Sequence, residues 1–151
     1  SQPPKGMGLG DEVFMANPLV VIAATSDPLA RQARIALGSL SQRRFILREK
    51  GSGTRMGVDQ HFSKNRFRPD IRMELGSNEA IKEAVAGGLG IGVVSSHALH
   101  GHQKEHGVAI IDIKGMPIAS SWHIVHPAGK KLSPISAAFK AHLLKEVDRR
   151  K

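Results

Sequence analysis

Twice in succession, a short apolar run breaks at glycine and gives way to a helical pattern. Phe45-Ile46-Leu47 leads into Gly51-Ser52-Gly53-Thr54-Arg55, after which Met56, Val58-Asp59 and Phe62 recur at near-helical spacing. Ile71, Met73 and Leu75 then alternate as in a strand, and Gly76-Ser77-Asn78 opens a second helical stretch through Glu79, Ala80, Ile81 and Val85. A period of two replaced by a period near 3.6 marks a strand–turn–helix unit. Consecutive units of this kind predict an α/β fold with a largely parallel sheet, which brings the helix starts to the carboxyl edge of the strands.

The rest of the chain fits this plan. Leu19 to Ala24 is a continuous, β-branched apolar run after Asn17-Pro18, as expected of a buried strand. Thr25-Ser26-Asp27-Pro28 punctuates it, with Pro28 suited to the first turn of a short helix. Ile91 to Ser95, Val108 to Ile113 and Trp122 to His126 read as further strands, with a short helix expected from Ser96 to Gln103. Ser133-Pro134 predicts the start of a last helix, striped by Ile135, Phe139, Leu143 and Val147. Gly87-Gly88-Leu89-Gly90-Ile91-Gly92 follows a helix and precedes a strand, whereas a phosphate loop runs the other way. It reads as a helix stop with close helix–sheet packing.

The Gly51 to Arg55 stretch has the chemistry of an anion cradle. Glycine lets the backbone aim N–H groups at one point, and a helix start adds unsatisfied donors and partial positive charge. Ser52 and Thr54 supply hydroxyls, and Arg55 carries a fork suited to carboxylate or phosphate. A plain helix cap explains the same residues. Gly76-Ser77-Asn78 repeats the arrangement, so two caps would face one crevice. The Walker loop does not fit, for it needs a Gly-Lys-Ser/Thr that is missing here. The dinucleotide fingerprint is a near miss: Met56 stands where a glycine belongs, Gly57 comes one place late, and Glu74 is spaced to meet a ribose. A nucleotide- or phosphate-ester-binding enzyme using this loop is thus an alternative. His97, His100, His102 and His106 lack an Asp or Cys to complete a metal set and read as a solvated loop. No Ser-His-Asp arrangement or pair of catalytic carboxylates stands out.

Composition narrows the classes. Aromatic residues make up 4% of the 151 residues, with one Trp and no Tyr, which is poor for stacking single-stranded nucleic acid. No apolar run approaches ~18 residues, so no membrane span is expected. The start, Ser1-Gln2-Pro3-Pro4-Lys5, lacks an initiator Met and an apolar core, unlike a signal peptide, and suggests a piece of a longer chain. With no cysteine, disulfides and thiolate metal sites are excluded. The net charge of +9 favours an anionic partner, a solvated surface being the alternative.

Together, "NPLVVIAATSDPLA", "FILREKGSGTR", "LGSNEAIKEAVAGGLGIGVVS" and "LSPISAAFKAHL" resemble the effector-binding domain of LysR-type bacterial transcription regulators, most closely those of Calvin-cycle (RuBisCO operon) genes. The resemblance runs from about Asn17 to Leu144. It implies a two-lobed, periplasmic-binding-protein-like α/β fold whose first lobe is incomplete here. Residues 1–26 and 119–151 would belong to the first lobe and its crossings, and residues 27–118 to the second. Effector contacts carried over by position are Ser52, Gly53, Thr54 and Arg55, with Gly76, Ser77 and Asn78 opposite and Thr25 and Ser26 at the crossing. The implied effector is a small anionic metabolite, with sugar phosphate, phosphoenolpyruvate or NADPH as candidates, and the implied function is sensing without catalysis or a resident cofactor. Also implied are a cytoplasmic homo-oligomer, dimer or tetramer, and DNA contact only through a helix-turn-helix outside this chain.

Overall fold

A computed structural model describes residues 9–99, 107–127 and 134–149. The chain divides into two units. One takes the residues up to Asn17 and from Ser120 on; the other is Pro18–Ala119.

The larger unit is built on a five-stranded sheet of β2 (Leu19–Ala24), β3 (Arg44–Arg48), β4 (Asp70–Leu75), β5 (Ile91–Ser95) and β6 (Val108–Ile110), in the order β4-β3-β5-β2-β6. β3 pairs in parallel with both β4 and β5, whereas β2 is antiparallel to both β5 and β6. Four strands therefore share one direction and β2 runs against them.

Both faces of β2, β3 and β5 are covered, whereas β4 is largely exposed, and the side chains divide by strand alternation. Leu19, Val21 and Ala23 of β2, Phe45 and Leu47 of β3, and Ile91 and Val93 of β5 pack with Val58 and Phe62 of α1 (Gly53–Lys64). Val20 and Ile22, Ile46 and Val94 face the other way, against Ile81 and Val85 of α2 (Asn78–Ala86). Two-sided burial is why β2 reads as an unbroken apolar run. On the α1 face, Phe45, Phe62 and Phe67 form a cluster with ring centroids 5.0–5.7 Å apart, all edge-on.

The glycine-rich run behaves as a packing device. α2 stops at Gly87, and Gly88 takes a φ of +80°, which glycine adopts without strain. A Cβ on Gly92 would lie 2.6 Å from Ile81 Cγ2 and 3.0 Å from Val85 Cγ2, so α2 rests on the bare backbone of β5.

In the smaller unit, β1 (Leu9–Ala16) pairs antiparallel with β7 (Ser121–Pro127), and α3 (Pro134–Arg149) follows. Its expected cap, Ser133, lies outside the described residues, as do His100, His102, His106 and the end of the helix expected up to Gln103. The described part of that helix is a single 3-10 turn, Ser96–Leu99. β1 was not expected, because Gly10, Asp11 and Glu12 hide the strand pattern.

The division of the chain also differs from the expected one. β2 is an inner strand of the five-stranded sheet, not a crossing, so the first boundary falls after Asn17 and not after Ser26. The second falls between Ala119 and Ser120.

Candidate functional site

β3 and β4 are neighbours and parallel, so α1 and α2 both begin at the carboxyl edge of the sheet. Each start is capped as its sequence predicts. Ser52 Oγ accepts from the Arg55 N–H at 2.9 Å, and Ser77 Oγ accepts from the Ala80 N–H at 3.1 Å. Both hydroxyls keep a proton to donate. The cap geometry leaves the N–H groups of Gly53 and Thr54, and of Asn78 and Glu79, without intrahelical acceptors. Gly51, at φ +96°, makes the turn that delivers α1. Thr54 is half-buried beside it. A Cβ on Gly76 would meet nothing within 4 Å, so the space before α2 is open. Asn78 Oδ1 is buried without a hydrogen-bond partner among the described residues.

Arg55 is placed differently from the expectation. It is 4% exposed and turned inward. Its Nε donates to Asp59 Oδ1 at 2.9 Å, and its Nη1 donates to the Arg48 carbonyl at 3.0 Å and lies 3.1 Å from Glu74 Oε1. Burial works against its charge, but Asp59 and Glu74 more than compensate and hold its pKa above the ordinary value. Arg55 therefore clamps the start of α1 onto the ends of β3 and β4, with its Nε and Nη1 engaged within the protein. The same pairing takes up Glu74, the ribose partner that a dinucleotide site would need.

Thr25 and Ser26 do not join this group. They follow the last residue of β2, which runs opposite to β3 and β4, so they lie at the amino edge of the sheet, where the Thr25 N–H donates to the Gly107 carbonyl at 3.1 Å. A six-residue strand, about 17 Å long, separates the two ends.

Reversal of β2 brings a different pair of segments to the carboxyl edge. Leu19 pairs with Ser95, and the Ser96 N–H donates to the Pro18 carbonyl at 2.8 Å. The third strand end, Ser95-Ser96-His97, is thus a neighbour of β3's end. Its signal in the sequence was a serine pair after a strand, without the glycine that marked the other two turns. Nearby, Lys82 is 5% exposed, donates to the Ala98 carbonyl at 2.6 Å and pairs with Glu79 at 2.8 Å.

Charge at this edge is spent locally: Arg48 on Glu49, Arg55 on Asp59 and Glu74, Lys82 on Glu79. Lys50, exposed just before Gly51, is different: it takes part in no ion pair among the described residues. Among the described residues no group of three or more His, Cys, Asp or Glu is placed to hold a metal, and no helix is long and apolar enough to cross a membrane.

Comparison with known proteins agrees with this architecture. Residues 1–148 match the model of the LysR substrate binding domain. A RuBisCO operon transcriptional regulator of Acidithiobacillus ferrooxidans is 43% identical over 142 residues, covering 94% of this chain and 46% of that protein. The HTH-type transcriptional activator CmpR of Synechocystis is 40% identical over 142 residues, 94% of this chain and 47% of that protein. Among solved structures, the regulatory domain of Synechocystis PCC6803 CcmR in complex with 2-PG superposes with a TM-score of 0.89 at 43% identity, covering 97% of this chain and 71% of that one. The chain belongs to the LysR substrate-binding domain family. It spans about half the length of the curated relatives it matches.

Proposed function

We propose that this domain senses a small anionic, phosphorylated metabolite at the carboxyl edge of the five-stranded sheet and so regulates transcription of CO2-fixation genes. The observation that carries the reading is the pair of capped helix starts, Ser52–Thr54 and Ser77–Asn78, side by side after two adjacent parallel strands. Free N–H groups and hydroxyls converge there under two helix dipoles, an arrangement that favours an anion. The similarity to a regulatory domain solved with 2-PG and to RuBisCO operon regulators supports the ligand class and the target genes. In this reading Ser52, Gly53, Thr54, Gly76, Ser77 and Asn78 touch the effector and Arg55 positions them. Thr25 and Ser26 have no part in it. The protein acts as a cytoplasmic homo-oligomer, holds DNA through a helix-turn-helix outside this chain, and binds its effector without turning it over.

The test is thermal unfolding of the chain with 2-PG, phosphoenolpyruvate, ribulose bisphosphate, NADPH, or sulfate at matched ionic strength. A ligand at ~100 times its dissociation constant adds about 2.7 kcal/mol of stability. One phosphorylated metabolite should raise the melting temperature, sulfate should not, and Thr54→Val should lose the shift while keeping the unliganded melting point. Equal shifts with every anion, or a shift unchanged in Thr54→Val, would overturn the reading.

A further inference from the structure

Several cations that take part in no ion pair among the described residues lie at the opposite edge. Arg44 opens β3, and its Cα partner Asp70 opens β4. Arg68 stands two residues before Asp70, about 7 Å along an extended chain. Lys64 ends α1, and Arg66 follows it at φ +53°. All four side chains belong to exposed residues, and none takes part in an ion pair among the described residues.

Their backbone is held firmly. Arg44 is bonded to Phe45, and Arg66 and Arg68 flank Phe67, so three of the four adjoin rings of the phenylalanine cluster. The Phe67 N–H donates to the Phe62 carbonyl at 2.9 Å, which folds the turn after α1 onto β3. A Cβ on Gly90 would come within 2.5 Å of the Arg44 carbonyl, so β5 packs directly against that residue. Of the described acids near these cations, Asp27 is engaged in a two-pronged pair with Arg43, which keeps its carboxyl below the usual range, and Asp70 opens β4.

We propose that Arg44, Lys64, Arg66 and Arg68 form a docking surface for the phosphate backbone of duplex DNA, in addition to any contact made by a separate DNA-binding domain. Three arginines among four cations suit phosphate, which a guanidinium fork meets with two hydrogen bonds. The cluster rings are buried beneath the patch, so it has no stacking platform for single strands. Ile71 of β4 and Leu89 before β5, exposed apolar residues beside it, are aliphatic, whereas protein partners favour aromatic anchors. In a transcription regulator, DNA is already tethered nearby, so a weak second contact acts at high effective concentration.

The experiment is fluorescence anisotropy of a 20-base-pair duplex of arbitrary sequence, titrated with this chain across a salt series. Each neutralised phosphate contributes about 0.9 to the logarithmic salt slope, so the expected slope is about −3 to −4. Combining Arg44→Ser, Lys64→Ser, Arg66→Asn and Arg68→Ser should weaken binding at least ~10-fold and flatten the slope. A control losing Arg34, Lys50, Lys114 and Lys145 should stay within ~3-fold of the parent. If the fourfold variant unfolds, Lys64→Ser with Arg68→Ser should still reduce the slope by about 1.8. Equal losses in patch and control variants, no salt-dependent binding by the parent, or polyglutamate competing as well as DNA at equal charge would each overturn the proposal.

Discussion

The two edges of the five-stranded sheet solve the same problem with opposite means. At the carboxyl edge, β3, β4 and their helices are tied by polar groups: Arg55 bridges α1 to β3 and β4, serines cap both helices, and Lys82 reaches the Ala98 carbonyl. At the amino edge the rings of Phe45, Phe62 and Phe67 carry the packing, Arg43 pairs with Asp27, and Arg44, Lys64, Arg66 and Arg68 are left to solvent. An edge held by polar ties has most of its cations neutralised and offers N–H groups and hydroxyls. An edge held by rings can leave its cations free. Arg44, Lys64, Arg66 and Arg68 are thus separated from the expected effector site by the length of the strands.

Perturbing each edge in turn tests this contrast. The largest effect is expected from Phe67→Ala, which removes one ring of the cluster and should cost about 3–5 kcal/mol in chemical denaturation. It should also weaken the proposed DNA contact, even where the protein remains folded, because Arg66 and Arg68 lose their support. Arg55→Ala should cost less, about 1–3 kcal/mol, since Asp59 and Glu74 reach water once their partner is gone. Its signature is a loss of ligand-induced stabilisation with DNA binding unchanged. Ser52→Ala and Ser77→Ala should each cost about 1 kcal/mol through the lost cap, adding when combined, as measured by urea melts.

The smallest effect concerns pH. Partial burial, and then the charge of Lys64, hold the His61 pKa below its ordinary 6.5. The unfolded chain therefore takes up the proton more readily than the folded one. Stability should be unaffected above pH 6.5 and should decline as pH falls through and below that value. His61→Gln should remove that part of the slope, while an unchanged slope would place its source elsewhere.

Much of the carboxyl edge was legible because its signals are local. Ser52 and Ser77 each sit three residues before the N–H they cap, and the helix expected from the spacing of Met56, Val58 and Phe62 is found as Gly53–Lys64. Asp59, one helical turn after Arg55, is a local partner too. Glu74 becomes one only once β3 and β4 pair, so the inward turn of Arg55 was not visible. The direction of β2 was equally hidden. A continuous apolar run reports burial but is silent about direction, so nothing in it showed that Thr25 and Ser26, carried over by the resemblance, lie at the amino edge. Net charge likewise adds up cations without recording which are paired.

The reversal of β2 also fixes where the larger unit joins the rest of the chain. Leu19 and Ile118 exchange N–H···O bonds at 2.9 Å in both directions, and the Asn17 N–H donates to the Ser120 carbonyl at 2.7 Å. The chain therefore enters and leaves this unit through two strands that are already zipped together. Topologically the unit is a cassette: a hundred-odd residues between adjacent ends, the arrangement in which excision needs only a short closing turn and in which one sensor can be exchanged for another without disturbing the host sequence on either side.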